Sequence, residues 1–149
     1  MKYQQRVYLW AVECFGGQVA ADRQQANHRF LEEGLELVQA NGITREECLQ
    51  LVEYVYGRPI GDPAQEVGGV MVTLARLCEA CDLDMDGAAL RELQRITEPR
   101  VMEKIRAKQA AKPKHSPLRG PSELRGMNAS HALVDDPHEF RDAFEKIDT

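Results

Sequence analysis

Several things are missing from this chain of 149 residues, and each absence narrows what it can be. No apolar run approaches the ~20 residues that a membrane-spanning helix needs. Behind Met1-Lys2-Tyr3-Gln4-Gln5-Arg6 there is no signal-peptide apolar core, so a cytoplasmic location and no membrane partner are the default expectation. There is no surplus of positive charge: the formal net charge is −5, which argues against a general nucleic-acid binder while leaving a phosphate-bearing small substrate open. Internal repeats, a glycine-rich phosphate loop and strand-like alternation of any length are also lacking, which leaves an all-α chain. Cys78 and Cys81 form a single C-x-x-C, but no second pair and no nearby histidine completes a zinc site. These two continue an apolar helical stripe with Leu74 and Leu77 and read, like Cys14 and Cys48, as packed reduced thiols.

What is present is a row of carboxylates. In Phe30-Leu31-Glu32-Glu33-Gly34-Leu35-Glu36-Leu37-Val38, the recurrence of Leu31, Leu35 and Val38 predicts a helix. Glu32, Glu33 and Glu36 then share an arc of roughly 100°, flanked by Phe30 and Leu37 on one side and by the other apolar residues on the opposite side. Like charges so spaced repel, the more so when partly buried, and call for a positive partner. Arg29 supplies part of it at i,i+3 and i,i+4; a hard divalent cation would supply the rest. A merely solvated glutamate face is the plainer alternative.

Start and stop signals divide the chain. A first helix spans 3 to 15, ends at Gly16-Gly17 and carries Trp10, either as core or as an aromatic wall for a base. Asp22 caps a second helix that runs to Ala40 and stops at Asn41-Gly42; His28 lies one turn before Glu32 on its face, as a hydrogen-bonded structural residue or a substrate contact. Thr44 and Glu47 make a capping box for a third helix with the stripe Cys48, Leu51, Val52, Val55. Asp62, Pro63 and Gln65 start a fourth, Asp62 and Gln65 reading as a second capping box. Its seam, Val67, Val70, Met71, Leu74, Leu77, Cys78, Cys81, is expected to be buried against other helices. Glu66 borders this seam, and Gly68-Gly69 beside it suggest close backbone approach by a helix or ligand.

Asp82, Asp84 and Asp86 lack the following glutamate of a calcium loop and read as capping and loop residues. A fifth helix starts near Asp86, breaks at Pro99 and resumes to Ala111. Its basic end, with Lys104, Arg106 and Lys108, either complements the helix dipole or contacts phosphate. Residues 1–111 thus form one helical domain, and 112–149 a linker and a loosely ordered tail with one short helical pattern, Phe140, Phe144, Ile147.

The order Glu32-Glu33-x-x-Glu36, then Glu66-x-x-Gly69, resembles the MazG-like all-α nucleoside triphosphate pyrophosphohydrolases, whose signature is E-E-x-x-E followed by E-x-x-D. Residues 27–33, 63–69 and 104–109 also resemble a phage and bacterial branch of that family. The resemblance covers about residues 3 to 111. It implies a bundle of four to five helices that forms a homodimer or homotetramer, with a nucleoside triphosphate cleaved between its α and β phosphates to a monophosphate and pyrophosphate. By the same resemblance Glu33, Glu36 and Glu66 are ligands of magnesium, or of manganese in its place. Glu32 matches the remaining glutamate, which binds metal or orients the attacking water. Apart from the resemblance, His28, Arg29, Trp10, Lys104, Arg106 and Lys108 are the candidate substrate contacts. The chain departs from the pattern at Gly69, where the family has Asp; Asp62, one turn before Glu66, is the substitute within reach. A family member that has lost catalysis and serves as a helical interaction module is the competing expectation.

Overall fold

The computed structural model describes residues 1–112, and these are helical almost throughout, with no strand among them. Seven helices follow one another: α1 Tyr3–Phe15, α2 Gly17–Ala20, α3 Arg23–Ala40, α4 Arg45–Tyr56, α5 Pro63–Ala80, α6 Met85–Thr97 and α7 Pro99–Ala111. The expected four to five become seven for two local reasons. Gly16-Gly17 does end α1, but Gly16 takes a left-handed φ of 84° and the chain turns straight into the four residues of α2. Glu98 is extended (φ −61°, ψ 130°), so Pro99 divides the fifth helix into α6 and α7 and occupies the first position of α7. The linker and tail expected over 112–149, including the Phe140, Phe144, Ile147 pattern, lie outside the described residues apart from Lys112.

The caps follow the local chemistry closely. Asp22 accepts from the amides of Gln24 (2.9 Å) and Gln25 (3.1 Å) and starts α3. Thr44 and Glu47 form the reciprocal box of α4: Glu47 N–H donates to Thr44 Oγ1 and Thr44 N–H to Glu47 Oε2. The Glu47 carboxylate, accepting from the Thr44 amide and hydroxyl, is held below the usual carboxylate range. Asp62 caps α5 through the amides of Ala64 and Gln65, but Gln65 does not reach back, so the second box is not formed. Asp84 caps α6 through the Gly87 amide, and the helix begins at Met85, next to the expected start near Asp86. At the far end of α3, Gly42 adopts φ 88° and Asn41 turns its amide onto Leu37 O, as the Asn-Gly stop predicts.

The packed part of the chain is α1 against α6 and α7. The closest helix approaches are α1 with α2, α6 with α7 and α1 with α7. Cys14, Leu93, Val101 and Met102 are buried there, and Cys78 of α5 is the fifth buried apolar side chain. Polar ties reinforce this joint: Trp10 Nε1–H donates to Ile96 O (2.9 Å) and Tyr3 O–H to Ala89 O (3.2 Å). All four cysteines are free thiols, and burial pushes the Cys14 thiol up against the opposing pull of Arg106.

The seam of α5 departs from expectation. Its C-terminal half behaves as predicted, with Leu74 and Leu77 half-buried and Cys78 buried. Its N-terminal half does not: Val67 is 65% and Met71 52% exposed. The α4 stripe is equally bare, Leu51 at 58% and Val55 at 57%. The spacing that makes a helix amphipathic is intact, but within the described chain no element lies over this face.

Candidate functional site

The site is built on the middle of α3. Arg29 sits one turn before the glutamates and bridges two of them, Nη1 to Glu32 Oε2 and Nη2 to Glu33 Oε1, both at 2.5 Å. This is the i,i+3 and i,i+4 pairing that the sequence dictates. Two further contacts come from elements far away in sequence. Lys112, at the end of α7, places Nζ 3.6 Å from the same Glu32 Oε2. Gln25 Nε2–H donates to Gln109 Oε1 (3.3 Å), so the start of α3 and the end of α7 lie side by side. From α6, Glu92 adds its charge to those acting on Glu33, while Arg95 holds Glu92 through Nε (2.7 Å) and Nη2 (2.5 Å).

Glu33 is where these charges are felt. Its carboxyl is raised above the ordinary glutamate value, first by desolvation; Arg29 opposes this, and Glu36, Glu32 and Glu92 push it further up. The side chain keeps 59% of its exposure, so solvent screens the effect and no large stability contribution follows from it. The direction still has a consequence. A carboxyl whose folded pKa lies above its unfolded one binds its proton more tightly in the folded state. Stability should therefore fall as pH rises from the ordinary glutamate value through the raised one, and level off on either side. A melting-temperature profile over about pH 4 to 7 should show this slope in the wild type and lose it in Glu33→Gln. An identical slope in both proteins would refute the assignment.

The other expected site residues divide. Glu36, one turn beyond Glu32 and Glu33, is exposed and belongs to the group acting on Glu33. Glu66 is not among the charges that act on Glu33. The reason lies in how α3 and α5 meet. Their C-terminal ends are joined where Cys81 Sγ donates to Asn41 Oδ1 at 3.0 Å. At 1.5 Å per residue, Glu33 is ~12 Å back from that joint along α3, and Glu66 ~22 Å back along α5. Glu66 instead turns toward Gly61, at the start of its own helix. Asp62 is committed to its cap. Among the described residues no three Asp, Glu, His or Cys side chains converge as a metal-holding group.

Of the expected substrate contacts, His28 is half-buried, one turn before Glu32. Trp10 is a joint of the packed core: its indole N–H is used on Ile96 O, and its ring meets Phe15 edge-on at 5.5 Å. Arg106 is likewise occupied, donating to Cys14 O (2.9 Å) and Glu13 O (3.0 Å) at the end of α1 and leaning on Met102 Sδ. Lys104 and Lys108 are exposed on α7. Besides Arg29, Lys112 reaches the glutamates, at Glu32. Neither Lys112 nor Glu92 carries a local signal for this role; both are brought in by the packing of α6 and α7.

No helix of the described residues is long and apolar enough to cross a membrane. The chain matches no protein-family model, no curated protein and no solved structure.

Proposed function

We propose that the chain is a magnesium-dependent nucleoside triphosphate pyrophosphohydrolase whose site is centred on the α3 carboxylates. The observation that carries this reading is the cluster itself: Glu32 and Glu33 are bridged by the one Arg29, and Glu33, raised first by desolvation, also feels Glu36 one turn on and Glu92 from α6. A hard dication at such a place gains carboxylate oxygens and keeps several waters. Glu33 and Glu36 would hold it, and Glu66, which turns toward Gly61 in this structure, would have to swing across from α5 to join them. When bound, magnesium would neutralise phosphate oxygens as the bond between the α and β phosphates breaks.

The chain's own residues do the remainder. Arg29 and Lys112 fix Glu32, which in this reading orients the attacking water. Arg29 also shares Glu33, so a dication arriving at Glu33 competes with a guanidinium already there. His28, half-buried beside Glu32, borders the same face and is the candidate contact to the nucleotide. The test is release of pyrophosphate from each common nucleoside triphosphate, with and without magnesium. Magnesium-dependent release from at least one is expected, and none from any would refute the proposal.

A non-catalytic helical module is the second reading, favoured by Gly69 at the position where an acidic ligand is expected. A Cβ built on Gly69 meets nothing within 4 Å, so a side chain fits there without repacking. Gly69→Asp therefore separates the readings. An enzyme short of one ligand should gain magnesium affinity and turnover, by about tenfold or more. In a scaffold the change should alter neither.

A further inference from the structure

The C-x-x-C pair sits where two helices end. Cys78 is buried in the last turn of α5, and Cys81 caps that helix and is half-buried. Cys81 Sγ donates to Oδ1 of Asn41, the cap of α3, at 3.0 Å. Asn41 in turn holds its own helix, Nδ2–H donating to Leu37 O at 2.8 Å, so the thiol ties one cap to the other. We propose that Cys78 and Cys81 form a reversible disulfide, and that closing it releases the end of α5 from the end of α3. This goes beyond the hydrolase reading and does not depend on it.

Three observations carry the proposal. The first is spacing. On a helix, α-carbons three residues apart lie ~5 Å from one another, within the ~4.4–6.8 Å that a disulfide spans. Their β-carbons lie ~5–6 Å apart, against the ~3.5–4.5 Å required, so the pair closes only as the last turn of α5 opens by roughly 1–2 Å. That turn is placed to open. Cys81 has already left helical geometry (φ −103°, ψ 6°), and Asp82 beyond it takes a left-handed φ of 55°. A disulfide closed under such strain is readily reduced again.

The second is access. Cys81 meets solvent and Cys78 does not, so an oxidant reaches Cys81 first, with Cys78 one turn beneath it. The third is the residue type. A thiol is a weak donor, and a serine hydroxyl would serve Asn41 better. What cysteine adds at this cap is reactivity.

With a small-molecule disulfide as oxidant, the Cys81 thiolate attacks one of its sulfurs and expels one thiol. The Cys78 thiolate then attacks the Cys81 sulfur and expels the other. The protein gives up two electrons and two protons, and both protons leave on the released thiols. Cys81 Sγ keeps no hydrogen, so Asn41 Oδ1 loses its donor.

Oxidised glutathione added to the full-length protein tests this. Cleavage after Glu79 should leave the Cys78 and Cys81 peptides joined until reductant is added. Hydrogen exchange should quicken at the amides of Cys81 and Leu83, which close the turn onto Leu77 O and Cys78 O. Across the joint, the amides of Asn41, Gly42 and Ile43 should quicken roughly three- to tenfold, as the loss of one hydrogen bond predicts. Cys81→Ser, whose hydroxyl donates to Asn41 but forms no disulfide, should keep slow exchange under the same oxidant. Recovery of Cys81 unreacted, or only as its mixed disulfide with glutathione, would overturn the proposal. So would a Cys78–Cys81 bond that leaves exchange at Asn41–Ile43 unchanged, or quickened exchange in Cys81→Ser. Should that variant fail to fold, the wild type decides: its slow exchange should return with reductant as the joined peptides separate, and exchange that stays fast would refute the switch.

Discussion

Glu36→Gln should remove magnesium-dependent pyrophosphate release by on the order of 10²–10³-fold while leaving helix content unchanged. The substitution keeps size and shape but takes away one of the charges concentrated on Glu33. Loss of a group that stabilises developing charge has that order of cost in turnover. The fold should not suffer, because Glu36 is exposed and caps no helix. Relieving the repulsion should, if anything, make the protein without magnesium slightly more stable. The informative comparison is Glu66→Gln. If both substitutions abolish turnover, α3 and α5 share one cation in the working enzyme. Loss with Glu36→Gln and Glu92→Gln but not with Glu66→Gln would move the second half of the site from α5 to α6. Turnover that survives Glu36→Gln removes the site from α3 altogether.

Leu93→Ala should be the most damaging single change to the fold. Leu93 is 3% exposed, the most completely buried side chain in the described chain, and it lies where α6 meets its neighbours. Truncating a buried leucine costs about 2–5 kcal/mol, the upper part of the range applying where the surroundings cannot collapse into the cavity. With only five buried apolar side chains in the described residues, few neighbours are available to refill the space. In a domain of about 100 residues, 1 kcal/mol shifts the midpoint by about 4–8 °C, so a fall of 10 °C or more is expected. A thermal melt followed by circular dichroism measures it. A shift of only a degree or two would mean that Leu93 is not central to the packing.

What could be read in advance is what depends on near neighbours. The ends of α1 and α3, the Thr44–Glu47 box, the capping aspartates Asp22 and Asp62 and the break at Pro99 all follow from residues within one turn of one another. The Arg29 bridge to Glu32 and Glu33 belongs to the same class. What escaped is what depends on the whole chain. Periodicity predicts that α5 has an apolar row, but not which neighbour covers it, and half of that row is bare. Glu92 and Lys112 reach the carboxylates from α6 and α7, more than fifty residues away in sequence. Arg106 and Trp10 are residue types that bind phosphates and bases as readily as they lock helices together. Only their hydrogen bonds, to the end of α1 and to Ile96, identify the second role. Gln65 fits the capping pattern as well as Glu47 does, yet only Glu47 closes its box.

Trp10 is the single tryptophan of the chain, and its indole is fixed between Phe15 and the Ile96 carbonyl. Tryptophan emission, excited where the four tyrosines do not absorb, therefore reports on the α1–α6 joint alone, whereas Tyr54 and Tyr56 lie on α4. Tryptophan emission and backbone ellipticity consequently watch different portions of the same protein, and the gap between their unfolding curves measures how far α4 and α5 melt independently of that joint.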